Sequence, residues 1–110
     1  MATEKESIMA KAVPLADIVS YQDGSVVSRT LVDKKVGTIT VFAFAEGEGL
    51  SEHTAPFDAF VQILDGVAEI IVDGVIHQVH AGQMIIMPAD RPHALRAARP
   101  FKMLLVMIRS

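Results

Sequence analysis

The chain of 110 residues contains no cysteine, which excludes disulfide cross-links, thiolate metal sites and cysteine nucleophiles together. No run of apolar residues approaches the ~20 needed to span a membrane. The stretch 1–11, MATEKESIMAK, carries acidic residues where a signal peptide would need an apolar core. Cytoplasm is therefore the expected compartment. Charge is sparse as well: 21% of residues are charged, the formal net charge is −3, and the 10 lysines and arginines are scattered. Such a distribution offers no surface for tracking phosphates, so neither a nucleic-acid nor a membrane partner is expected. There is no internal repeat, no low-complexity segment and almost no helical period. Nucleophile-elbow, phosphate-loop and Ser-His-Asp patterns are absent too.

What remains is apolar and β-forming. Hydrophobic residues make up 51% of the chain and mean hydropathy is +0.38. The length suits one domain, with residues 1–10 expected as a flexible N-terminus and 11–110 as the folded unit. The apolar surplus is large for so small a monomer, and a homodimer is expected to bury part of it.

The segments Val26–Val32, Gly37–Ala45, Ala59–Leu64, Val67–Val72, Val75–Val79, Met84–Met87, His93–Ala97 and Phe101–Ile108 are rich in β-branched and aromatic residues. In GTITVFAFA (37–45) both alternating faces are apolar, which predicts burial on two sides. Pro14 followed by Asp17 suggests one helical turn rather than an edge strand. Asp23-Gly24, Asp65-Gly66 and Asp73-Gly74 suit turns with positive φ. Asp73-Gly74 is expected to close a hairpin, and Asp65-Gly66 to link its flanking strands in the same way. About eight or nine short strands with frequent turns make an all-β barrel or sandwich.

Two stretches carry a family resemblance. Gly47 to Gly66 reads G-EGLSE-H-T-A-PFD-A-FVQILD-G, and Gly82 to His93 reads G-QMIIM-P-A-D-RP-H. They resemble the paired motifs of the cupins, G-x5-H-x-H-x3-4-E-x6-G and G-x5-P-x-G-x2-H-x3-N. The resemblance implies a single-domain double-stranded β-helix, or jelly-roll barrel, whose motifs supply three histidines and a glutamate to a divalent metal. Carried over position by position, the ligands match His53, Ala55, Ala59 and His93. The motif glycine after Pro88 is Asp90 and the terminal asparagine is Ala97.

Two of four ligand positions are thus methyl groups. Two imidazoles alone leave a dication's charge uncompensated and most of its coordination sphere to water. Glu52 and Asp58 have the wrong strand parity to substitute, whereas Asp90, in the loop before His93, can reach in. His77 and His80 are expected at exposed strand ends. His53 and His93 therefore stand as the candidate catalytic or ligand-binding residues, and as the two candidate ligands for a divalent metal (Zn, Ni, Fe or Mn). Around them Ala55, Ala59, Val61, Ile63 and Met87 are expected to line a pocket, with Met84, Met103 and Met107 as adaptable fillers. Small-molecule binding in the barrel mouth is the expected role. The alternatives are a metal-dependent oxidoreductase or dioxygenase-like enzyme, and a metal-free isomerase or epimerase with a histidine base.

Overall fold

The computed structural model describes residues 8–109, so most of the N-terminus expected to be flexible lies outside the described residues. A 3-10 turn at Leu15–Asp17 precedes nine strands: β1 (Val26–Lys34), β2 (Gly37–Phe44), β3 (Gly49–His53), β4 (Asp58–Asp65), β5 (Val67–Val72), β6 (Val75–His80), β7 (Met84–Met87), β8 (His93–Arg96) and β9 (Phe101–Ile108). They form a five-stranded sheet in the order β1-β2-β9-β4-β7 and a four-stranded sheet in the order β3-β8-β5-β6. Every pairing is antiparallel. The result is the double-stranded β-helix that the motifs imply.

Alternation decides which side chains meet between the sheets. Ala59, Val61 and Ile63 of β4, Met103 of β9, and Ala68 and Ile70 of β5 are buried in one continuous core. The same core holds Phe44 and Phe101, cross-strand partners whose rings stack at 4.5 Å between centroids, 12° from parallel. Such a pair adds about 1 kcal/mol to what burial of the rings contributes. The opposite face of β2 is buried too. Val41 and Ala43 pack with Val19, Leu15, Ile18 and Leu104, because the N-terminal segment crosses the back of the five-stranded sheet. Two contacts tie that segment down: Tyr21 donates its hydroxyl hydrogen to the Asp65 carboxylate, and Lys102 donates to the Ala16 carbonyl at 2.6 Å. Burial and the adjacent Asp65 carboxylate push the Tyr21 phenol pKa up. Among the described residues, no helix is long and apolar enough to cross a membrane.

Asp73 and Gly74, at φ +51° and +76°, close the β5–β6 hairpin with Val72 opposite Val75. Asp65-Gly66 behaves differently from expectation. β4 and β5 do not pair; they lie in different sheets. β4 is already flanked by β9 and β7, so the chain turns a corner from one sheet to the other. Gly66 makes that corner at φ +77°, where an added Cβ would collide with the Pro100 carbonyl.

Candidate functional site

His53 and His93 are cross-strand partners at the same end of the four-stranded sheet. On β8 the side chains of His93 and Leu95 are buried and their neighbours Ala94 and Arg96 are less so, which directs His93 inward. On β3 an irregularity lies between Leu50 and His53. An unbroken ladder counted from the Leu50–Leu95 pair would set Glu52 opposite His93. The extra residue instead moves His53 onto the inner face, as a β-bulge does.

The two rings meet edge to face, 4.3 Å between centroids and 68° between planes. His53 Nδ1 lies 2.7 Å from the Ser51 carbonyl oxygen, and His93 Nδ1 lies 3.2 Å from the Arg91 carbonyl oxygen. A carbonyl only accepts, so each Nδ1 carries the hydrogen and donates. That leaves the two Nε2 atoms facing one another at 3.2 Å. For these two to be hydrogen-bonded, one proton must lie between them, and the pair then carries one positive charge. His93 is only 5% exposed. Burial pushes its pKa below the ordinary 6.5, the Arg91 carbonyl opposes the shift, and the neighbouring His53 adds to it. Charge on the buried His93 ring is thereby disfavoured.

Beneath the imidazoles is a cavity of about 60 Å³ whose walls include Leu50, Ala55, Ala59, Met87, Met103 and Met107. Of the residues expected on its wall, Ala55, Ala59 and Met87 are there. Val61 and Ile63 are not. They lie wholly buried in the core, since strand parity gives a side chain's face but not its depth along the barrel. Met84 is 47% exposed and belongs to the outside. A roomier groove of about 250 Å³, beside Val67, Glu69, His80 and Arg99, does not include the histidine pair.

The surrounding charges are otherwise engaged. Arg91 pairs with Asp73 at 2.6 Å and Arg96 with Glu69 at 2.5 Å. Asp58 accepts a hydrogen bond from the Ala89 amide at 2.9 Å. Asp90 takes over a backbone role: its φ is +63°, the left-handed conformation that explains the motif glycine and that Asp tolerates, and its amide donates to the Ala55 carbonyl at 2.8 Å. That bond joins the loops bearing the two motifs.

The donor set can now be judged. Among the described residues, no cluster of three or more His, Cys, Asp or Glu side chains is placed to hold a metal ion. Glu52, Asp58 and Asp90 do not complete the histidine pair, and Ala55 and Ala59 offer nothing. The residues present do not fit a resident divalent metal.

Two antiparallel sheets rolled around a core, with a histidine-capped cavity at one end, define a small β-barrel. The Cupin domain model matches residues 40–108, and the chain belongs to that family. It is similar to a conserved protein of unknown function from Streptococcus pyogenes, with 42% identity, TM-score 0.88, and coverage of 92% of this chain and 89% of the other. A cupin superfamily protein from Desulfitobacterium hafniense matches at 29% identity and TM-score 0.87, over 92% of this chain and 93% of the other. Protein SchB of Streptomyces halstedii is 34% identical over 61 residues, which are 54% of this chain. The match spans 44% of that curated relative's length. Enzymes share the fold at lower identity, among them a DMSP lyase from Ruegeria pomeroyi at 23% and a salicylate 1,2-dioxygenase from Pseudoaminobacter salicylatoxidans at 13%.

Proposed function

We propose that the chain is a metal-independent cupin that binds a small organic molecule at the barrel mouth, with His53 and His93 as its polar contacts. The observation that carries this is the Nε2–Nε2 approach of 3.2 Å above an apolar cavity, with methyl groups at the remaining ligand positions. A mostly apolar pocket with a few convergent polar groups is the usual form of a small-molecule site.

Metal analysis and a thermal-shift screen of small carboxylates and sugars test the proposal together. Any Zn²⁺ or Ni²⁺ carried through purification should be removed by mild chelation without unfolding. Stabilisation by a bound compound should persist in chelator and disappear in both His53→Ala and His93→Ala. One tightly held ion per chain after dialysis would overturn it.

One observation favours a second use of the same site. The lowered pKa of His93 favours the neutral ring, so that once a bound compound displaces the His53 contact its Nε2 can accept a proton, as a metal-free isomerase or epimerase needs. Incorporation of deuterium from solvent into a bound compound's C–H position, lost in His93→Ala, would mark that activity.

A further inference from the structure

The back of the five-stranded sheet is covered over only part of its area. Val41, Ala43 and Leu104 pack against the Leu15–Val19 segment. Beside them one row of cross-strand partners, Val32–Ile39–Val106–Phe60–Ile86, crosses all five strands. The register shift between Thr30 and Val32 completes it: Val32 joins the row while Leu31 stays in the cluster under the segment. These five residues pack into neither buried cluster. On the other side of the row lie Lys34, Gly37, Ile108 and Asp58, again cross-strand partners, with Ile108 exposed.

Charge and shape point to the occupant. The row itself is uncharged, and the next one has a lysine at one end and an aspartate at the other. No excess of either sign is present to draw a polyanion or a charged membrane surface. An uncharged apolar centre with charges at its margin is the composition of a protein–protein contact. The face is also stepped, with the Leu15–Val19 segment standing proud on one side of the row and bare sheet on the other. A two-fold axis along the row, across the strands, sets each of its residues against its own copy. The same axis lays each chain's segment over the bare rows of the other, where Gly37 puts no side chain in its path. A stepped surface of this kind fits a second copy of itself, as an isologous contact requires.

Size decides how much must take part. The row and its bare neighbour cover about 24 by 14 Å, about 330 Å². That is under half the roughly 800 Å² each partner buries in a stable complex. Sheet against sheet is too small alone, and the segment, preceded by the exposed Val13, has to supply the rest.

We infer that this half-covered back face is the contact between two copies of the chain. They are related by a two-fold axis across the strands, and the Leu15–Val19 segment of each is seated against the Gly37–Ile108 end of the other. The contact is separate from the histidine-capped cavity, which lies between the sheets rather than behind them.

The absence of native cysteine makes single-cysteine cross-linking unambiguous. Facing sheets stand about 10 Å apart, too far for a disulfide, so a short bis-maleimide is the reagent. Sedimentation velocity on the wild type should give twice the chain mass. Val106→Cys and Phe60→Cys should each be captured as covalent dimers, because both lie on the axis; Ile39→Cys repeats the second test if Phe60→Cys does not fold. Ile76→Cys, exposed on the other sheet, should not cross-link. Val13→Glu should weaken association about tenfold. A monomer at every concentration, or a dimer captured through Ile76→Cys and not Val106→Cys, would overturn the contact. Capture of Val106→Cys without Phe60→Cys or Ile39→Cys would overturn the axis, since a two-fold along β9 brings only the central strand onto itself. Unchanged association in Val13→Glu would overturn the part given to the segment.

Discussion

Restoring the two ligand positions now held by alanine provides a direct test of whether the donor set limits metal binding at this site. Two metal–nitrogen bonds of about 2.05 Å that end on nitrogens 3.2 Å apart meet at about 100°, between octahedral and tetrahedral angles. The histidines are thus spaced for one ion; what is missing is the rest of the set. In the double variant Ala55→His/Ala59→Glu the carboxylate enters a position only 3% exposed. Without metal it should cost about 2 kcal/mol as a poorly satisfied buried polar group, which lowers Tm by roughly 10 °C in a domain of this size. Zn²⁺ or Ni²⁺ at a hundred times its Kd should return about 2.7 kcal/mol, enough to restore the wild-type Tm. Differential scanning calorimetry with and without the ion, and metal content after dialysis, give both numbers. The explanation fails if wild type gains several degrees from the same ion, or if the double variant takes up none.

Three other outcomes follow from particular residues. Because the His93 pKa is lowered from 6.5 in the folded state, the unfolded chain takes up this proton first. Its contribution to stability is complete above pH 6.5 and falls on acidification toward the folded-state pKa, so urea midpoints should drop less over that interval in His93→Gln than in wild type. Gly66→Ala and Gly74→Ala both place alanine at φ near +77°, but only Gly66 also meets the Pro100 backbone. Gly74→Ala should cost about 1 kcal/mol, and Gly66→Ala clearly more, by chemical denaturation. The apolar surplus that motivates a homodimer has a visible outlet in Phe60, Ile86 and Val106, one cross-strand row on the back of the five-stranded sheet. Light scattering should give twice the chain mass, and Ile86→Glu, at a 53% exposed position, should halve it.

Eight of the nine strand positions, all but β3, and the β5–β6 turn were legible because alternation and Asp-Gly chemistry are local signals. Burial of β2 on both faces was legible in GTITVFAFA for the same reason. The role of Asp65-Gly66 was not, since whether a turn closes a hairpin or changes sheets depends on which neighbours β4 has already acquired. The meeting of His53 with His93 followed from motif spacing, yet the means did not. Alternation counted from Leu50 rather than from His53 would have sent Glu52 inward, and the extra β3 residue that reverses this leaves no mark in composition. Val61 and Ile63 show the converse limit: they share a face with Ala59 and lie too deep to reach the cavity.

The segment tied across the back of the five-stranded sheet affects how this protein can be cut. The family match begins at residue 40, inside β2 and after all of β1. A fragment trimmed to that boundary would lose the strand bordering β2 and the Leu15–Val19 cover, baring Val41 and Ala43, both fully buried in the intact chain. A bared β-edge beside a bared greasy face invites neighbouring molecules to add on. The smallest well-behaved unit therefore starts upstream of Leu15, well outside the stretch that defines its kinship.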